Sequence, residues 1–406
     1  MRHWPIALLG TGELASSRYK NMHKPSKTLK LSLLLALPIV GALGCASDEW
    51  KEANKKNEEQ KRRTAAGWSA TDPAPAAPAS KEAAAPAKFA ELKQRFKASP
   101  AIMSAAEQPF TDEKAALGRM LYYETRLSKN HDLSCNSCHL LDAYGVDGKP
   151  TSEGHRKQFG ARNSPTVYFA AGHGAQFWDG RAKDVEEQAL GPILNPVEMA
   201  MPDEESVLVV LRSIPGYAAP FKAAFPSAED PITYANVGKA IGAFERKLIA
   251  PSPWDAFLTG DDTALNETQL AGLKKFVEVG CQNCHDGAYV GGAQFRKLGE
   301  VVAYPATKDQ GRFESTGVEA DRLIFKVPSL RNIAKTAPYF HDGSVGTLKE
   351  AIVLMATHQL GAKLSDGDVA SIASFLEAMT GTLPTDYIAI PKLPESGPDT
   401  PKPDPK

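Results

Sequence analysis

The sequence predicts a mostly helical protein in which one domain occurs twice in tandem. Three observations lead there. The stretch Cys135-Asn136-Ser137-Cys138-His139 returns as Cys281-Gln282-Asn283-Cys284-His285. After each copy, further short motifs recur at a common offset: Ser164-Pro165-Thr166 and Phe177-Trp178-Asp179-Gly180, then Pro328-Ser329-Leu330 and Phe340-His341-Asp342-Gly343. Apolar residues fall at helical spacing in several segments, and no stretch sustains a period of two.

The helices follow in order. Thr111-Asp112-Glu113 supplies an N-cap and an acidic first turn, and Ala116, Leu117, Met120 and Leu121 form the apolar stripe. Residues 233–249 carry Val237, Ala240, Ile241, Phe244 and Leu248 ahead of Pro251. Residues 266–279 form a second helix leading into a Cys-rich motif. Ser365 to Asp368 is a capping box, followed by Val369, Ile372, Phe375, Leu376 and Met379 before Gly381. Each half therefore reads as helix, C-x-x-C-H, long irregular loop, Phe-x-Asp-Gly turn and closing helices. That is the layout of a cytochrome c domain, with the halves bounded at 101–250 and 251–388.

C-x-x-C-H is the attachment pattern for a c-type haem. Cys135 and Cys138 in one half, Cys281 and Cys284 in the other, would add to the porphyrin vinyl groups, with His139 and His285 as proximal iron ligands. A zinc half-site would want further Cys or His at ligand spacing, and neither half has a second pair. A thioredoxin-like dithiol would sit near a βαβ pattern, which is absent. Two matches in one chain make chance negligible, so two covalently bound haems are expected.

Of five cysteines, only Cys45 lies outside these motifs. Lys24, Lys27 and Lys30 precede an apolar run, Leu31 to Leu43, that is shorter than the roughly 20 residues of a spanning helix. Met22 reads as the start of this leader. Ala42-Leu43-Gly44-Cys45 resembles a bacterial lipobox with its first two residues swapped, so residues 1–45 are expected to be a signal peptide ending at a lipidated Cys45. The alternative is an ordinary secretory peptide. Ala46 after the Cys points to the outer membrane, and thioether haem attachment points to the periplasm. Residues 46–100, rich in Ala, Pro, Lys and Glu, are expected to be a disordered tether, and 389–406 a disordered Pro-rich tail. A formal net charge of −1 gives no reason to expect nucleic acid as a partner.

The sixth iron position decides between electron carriage and chemistry. In the first half the candidates are His155, in a polar loop with Gly154, and His173. In the second they are Met355, on the apolar run Ile352-Val353-Leu354-Met355, together with His358 and His341. Spacing alone leaves these open. Glu198, in a Pro-bounded loop, reads by pattern as a surface charge.

Further motifs are Arg162-Asn163-Ser164-Pro165-Thr166, Phe177-Trp178-Asp179-Gly180-Arg181, Pro196-Val197-Glu198-Met199 and Thr336-Ala337-Pro338-Tyr339-Phe340-His341. With them, residues 101–385 resemble the bacterial di-haem cytochrome c peroxidases. The resemblance implies His155 as displaceable distal ligand of the first, low-potential haem. It implies Met355 as distal ligand of the second, high-potential haem, and Trp178 on the electron path between them. It makes Glu198 the distal acid-base residue, with Gln188 beside it, and Asn163, Thr336 and Pro338 the protein ligands of one Ca²⁺. Hydrogen peroxide would be the substrate, a small c-type cytochrome or a copper protein such as a cupredoxin the donor, and a homodimer the assembly. Two rivals stand beside this reading. A MauG-like oxidase of protein substrates would place Tyr where this chain has Met355. A pure electron-transfer di-haem cytochrome would leave Glu198 and Gln188 without a task.

Overall fold

The computed structural model describes residues 89–305 and 307–406. Cys45, the leader and most of the tether lie outside the described residues.

Nine helices of six or more residues among the described residues carry the two halves. The first half holds α1 (Asp112–Tyr122), α2 (Val185–Leu194), α3 (Glu204–Ser213), α4 (Ala218–Ala224) and α5 (Tyr234–Glu245). The second holds α6 (Pro253–Leu258), α7 (Glu267–Val279), α8 (Leu348–Leu360) and α9 (Asp366–Glu377). The predicted caps form. Thr111 accepts from Lys114 N, Asn266 and Gln269 bond reciprocally, and Ser365 and Asp368 do the same. At the other end of α7, Gly280 takes φ 99°, a left-handed cap that suits glycine.

In both halves the helix that precedes the C-x-x-C-H turn and the last helix cross at a glycine. A Cβ at Gly118 of α1 would run into the Ala240 carbonyl of α5, and one at Gly272 of α7 into the Ser371 carbonyl of α9. Phe244 and Phe375 pack beside these glycines in equivalent places. The duplicated turns match as well. Phe177 and Phe340 both adopt positive φ, and the backbone closes Gly180 N to Phe177 O and Gly343 N to Phe340 O.

Two expectations need correction. The segment predicted to run to Ile249 stops at Glu245, because the Leu248 carbonyl accepts from Phe169 N and Pro251 disfavours helix just before it. Leu248 is buried all the same. A short antiparallel pair, β1 (Phe295–Lys297) and β2 (Ile324–Lys326), aligns Arg296 with Phe325. Three residues are too few to show a period.

The second correction concerns the ends. Residues 89–100 are not free tether. Phe89, Leu92 and Phe96 pack into the core of the second half, Phe96 edge-on to Trp254 at 5.2 Å, while Ser99 N donates to Asp255 at 2.8 Å. Conversely, Leu383, Tyr387 and Ile388 pack into the core of the first half, where Tyr387 stacks on Phe244 at 5.1 Å. Residues 389–406 form no helix or strand, yet they are tied down. Arg126 donates to the Pro394 carbonyl at 2.8 Å, Ser213 Oγ to Thr400 Oγ1 at 3.1 Å, and Asp404 N to the Lys129 carbonyl at 2.9 Å. The leading end thus completes the second half, and the trailing end the first. No helix among the described residues is long and apolar enough to cross a membrane.

Candidate functional site

Each C-x-x-C-H sits on one tight turn. Cys135–Cys138 is a single helical turn capped by Ser134 and Ser137, and Cys281–Asn283 a 3₁₀ turn. The following histidine is then aimed by its Nδ1, which lies 3.3 Å from Gly145 O for His139 and 3.3 Å from Val290 O for His285. A carbonyl on Nδ1 fixes the tautomer that leaves Nε2 with its lone pair for a metal. Burial lowers His139 and holds His285 down at about 4, which keeps both rings neutral. Tyr122 Oη donates to the His139 carbonyl at 2.8 Å and fixes the turn from α1.

One cavity of about 280 Å³ is lined by both halves, with His139, Trp178 and Gln188 from the first and Cys281, Cys284, His285, Phe325 and Met355 from the second. His139 opens on this largely apolar cavity from the first turn, and Cys281, Cys284 and His285 from the second; two thiols and one neutral imidazole on each turn are the donor set that a covalently held haem requires. The residues fit the group.

Met355 lines this cavity from α8. His358, one turn on, does not. Its Nδ1 is 3.0 Å from Val302 O and its ring meets Tyr304 edge-on at 5.0 Å, so that ring is engaged on the surface. His341 is buried, packed on Phe325 at 4.4 Å, with Nε2 4.0 Å from Asp309. His173 also lines the cavity.

His155, in a run that reads as a polar loop, is 5% exposed. Its backbone N–H donates to the Glu198 carbonyl at 2.8 Å, and Gln158 Nε2 reaches the Pro196 carbonyl. A Cβ on Gly154 would strike the Val197 carbonyl, so only glycine allows the two loops to meet this closely. Arg156 and Lys157 both take positive φ directly after His155, a costly conformation for residues with a Cβ. His155 and Glu198 are therefore joined to each other, and neither lines the cavity shared by the two proximal histidines. Burial raises the Glu198 carboxyl above its ordinary range, opposed by the Arg181 charge and by a 2.9 Å bond from Asn195 Nδ2 to Oε1.

Trp178 joins the halves. Its indole Nε1 donates to Asn163 O at 2.9 Å, and its carbonyl accepts from Lys326 N of β2 at 2.8 Å. Asn163, Thr336 and Pro338 all line the same cavity. Asn163 N also donates to His341 O at 2.7 Å, and its Nδ2 to Lys149 O at 3.0 Å. Around them lies a charge cluster that motif reading missed. Arg162 donates to Asp309 through Nε at 2.6 Å and Nη2 at 2.8 Å, and to Asp179 at 2.7 Å, with Glu314 at 3.1 Å. Glu245 and Lys326, both buried and both lining the cavity, were missed as well. The only sequence signal was a charge inside an otherwise apolar segment.

The comparisons agree with this architecture. A family model described as di-haem cytochrome c peroxidase matches residues 112–263. The chain is 45% identical to the cytochrome c551 peroxidase of Pseudomonas aeruginosa over 301 residues, covering 73% of this chain and 86% of the relative. It is 45% identical to the Nitrosomonas europaea cytochrome c551 peroxidase over 302 residues, 74% and 89% of the two chains. A crystal structure of a MauG-like protein associated with microbial copper homeostasis aligns with TM-score 0.64 at 30% identity, covering 72% of this chain and 97% of that one. The duplicated haem-attachment turns, the cavity between them and these relatives together establish that the chain belongs to the di-haem cytochrome c peroxidase family and is a cytochrome c peroxidase.

Proposed function

We propose that the enzyme reduces hydrogen peroxide to two waters with two electrons and two protons, the electrons coming singly from a small c-type cytochrome or a cupredoxin. The observation that carries this reading is the half-buried Glu198 on a loop bonded to His155, supported by the names of the relatives. Bound haem iron supplies the redox chemistry at both sites. The chain's own residues do the rest. His139 and His285 hold their rings neutral and oriented, and Met355 stands as the second side-chain ligand in the second half. Glu198 would take a proton from one peroxide oxygen and return it to the other, the leaving one, with Gln188 as a polar partner. Trp178, bonded to both halves, is the aromatic bridge for electrons.

In this reading His155 is a displaceable ligand. The assay is peroxide-dependent oxidation of a reduced small cytochrome c, before and after one-electron pre-reduction of the enzyme. Turnover after pre-reduction alone is the expected result. Turnover in both states would discard the gate, and turnover in neither would sink the peroxidase reading. Replacing Met355 by His is expected to lower the potential of the second haem, read by spectroelectrochemistry, because a thioether favours reduced iron more than imidazole does. An unmoved potential would rule Met355 out as ligand.

A Ca²⁺ at Asn163, Thr336 and Pro338 fits the same reading. Amide and carbonyl oxygens with water are suitable ligands for it, and Asn163 also carries the carbonyl that holds Trp178. Chelation is expected to slow electron transfer between the haems, measured by stopped flow, and re-addition of Ca²⁺ to restore it. Unchanged kinetics would remove calcium from the account. Export to the periplasm, a lipid at Cys45 for the outer membrane and a homodimeric assembly complete the proposal. The mass of the mature N-terminus and light scattering test them.

A further inference from the structure

Lys326 is a charge that peroxide chemistry leaves without a task. It ends β2 at 8% exposure and lines the cavity together with His173. Its Nζ donates to the Ala175 carbonyl at 2.8 Å and lies 3.5 Å from His173 Nδ1. An ammonium has only protons to offer, so Nδ1 is the acceptor and the imidazole proton belongs on Nε2. That Nε2 is buried and has no partner among the described residues.

Charge balance points the same way. The acid that acts on Lys326 is Asp179, which already accepts from Arg162 at 2.7 Å, Arg181 at 3.0 Å and Ser315 at 2.7 Å. Burial brings Lys326 down to about 8 and His173 well below its ordinary value, the Lys326 charge adding to the latter. Two adjacent buried donors, one of them cationic, are costly in an apolar cavity unless an acceptor meets them. Haem carries such acceptors in its propionate carboxylates.

The geometry points to Lys326 and His173 as a two-donor receptor for a haem propionate at the seam between the halves. The same lysine holds the Trp178 carbonyl through its backbone N–H. One residue therefore ties the cofactor's carboxylate to the aromatic bridge. Pairing the propionate with a cation offsets negative charge near the iron and favours its reduced state, so Lys326 and His173 are positioning residues that set a potential.

The test uses the di-haem holoenzyme, with potentials from spectroelectrochemical titration and propionate contacts from the propionate bending bands in resonance Raman spectra. In Lys326→Met the reduction equilibrium of one haem should shift toward the oxidised form by about tenfold, ~59 mV for one electron. The propionate band of that haem should move with it. Lys326→Arg should restore most of the potential. His173→Phe should move the band with a smaller change in potential, because a neutral donor is lost. The haem that responds, first or second, identifies whose propionate is held. Unchanged potentials and bands at both haems overturn the inference, as does a shifted potential with unmoved bands. If Lys326→Met fails to load haem, Lys326→Gln and His173→Phe are read by the same criteria.

Discussion

Glu198→Gln lowers peroxide turnover by about 10²–10⁴-fold in the expected result, the usual worth of a positioned acid-base group. Both haems should stay attached and reducible, because the substitution keeps the side chain's size and its oxygen for the Asn195 bond. Stopped-flow absorbance separates the outcomes. Loss of the peroxide step with normal electron uptake supports the assignment, and wild-type turnover refutes it. The wild-type pH profile supplies a second check. Proton abstraction needs the carboxylate, and burial raises this carboxyl above its ordinary range. As pH falls, the group protonates earlier than an exposed Glu and activity declines from a correspondingly higher pH. Glu198→Gln should remove that acid limb.

Arg162→Ala should cost about 3 kcal/mol of stability, the lower end for breaking a buried ion pair from one side. The substitution strips cationic partners from Asp309 and Asp179, which are 13% and 4% exposed at their side chains. For Asp179, burial opposes ionisation, yet the Ser315 and Arg162 bonds and the Arg181 charge hold its carboxyl below the usual range. Without Arg162 that balance weakens on both sides of the seam. A thermal midpoint lowered by roughly 6–12 °C is the corresponding signal in a domain of this size class. A midpoint within a degree of wild type would show that the cluster is solvated and of little consequence. Arg162→Lys should recover only part, since one ammonium cannot reproduce the guanidinium fork.

Much of the fold was legible in the sequence because the chemistry behind it is local. Haem attachment needs two thiols and an imidazole on one turn, so Cys135 to His139 and Cys281 to His285 announce themselves. Capping boxes are equally local, as Asn266 with Gln269 and Ser365 with Asp368 show. What stayed hidden depends on partners far along the chain. His155 sits in a polar, glycine-flanked run, and its burial is set by the Pro196 to Glu198 loop. His358 is one turn from Met355 in sequence, but Val302 and Tyr304 hold its ring. Phe89 and Phe96 were masked by the Ala, Lys and Pro around them. In the tail, main-chain groups with the side chains of Ser396, Thr400 and Asp404 make the contacts, and composition does not report on those.

The exchanged ends bear on how the molecule is made. Synthesis runs from the N-terminus, so the first haem turn is made well before Leu383, Tyr387 and Ile388, which complete the core around it. Until those residues arrive, the nascent first half lacks part of its apolar packing and the ring that stacks on Phe244. The second half, in contrast, finds Phe89 and Phe96 already made when its own helices appear. The order of synthesis therefore leaves the first core open until the last of its segments arrives, whereas the second core has its leading segment from the start.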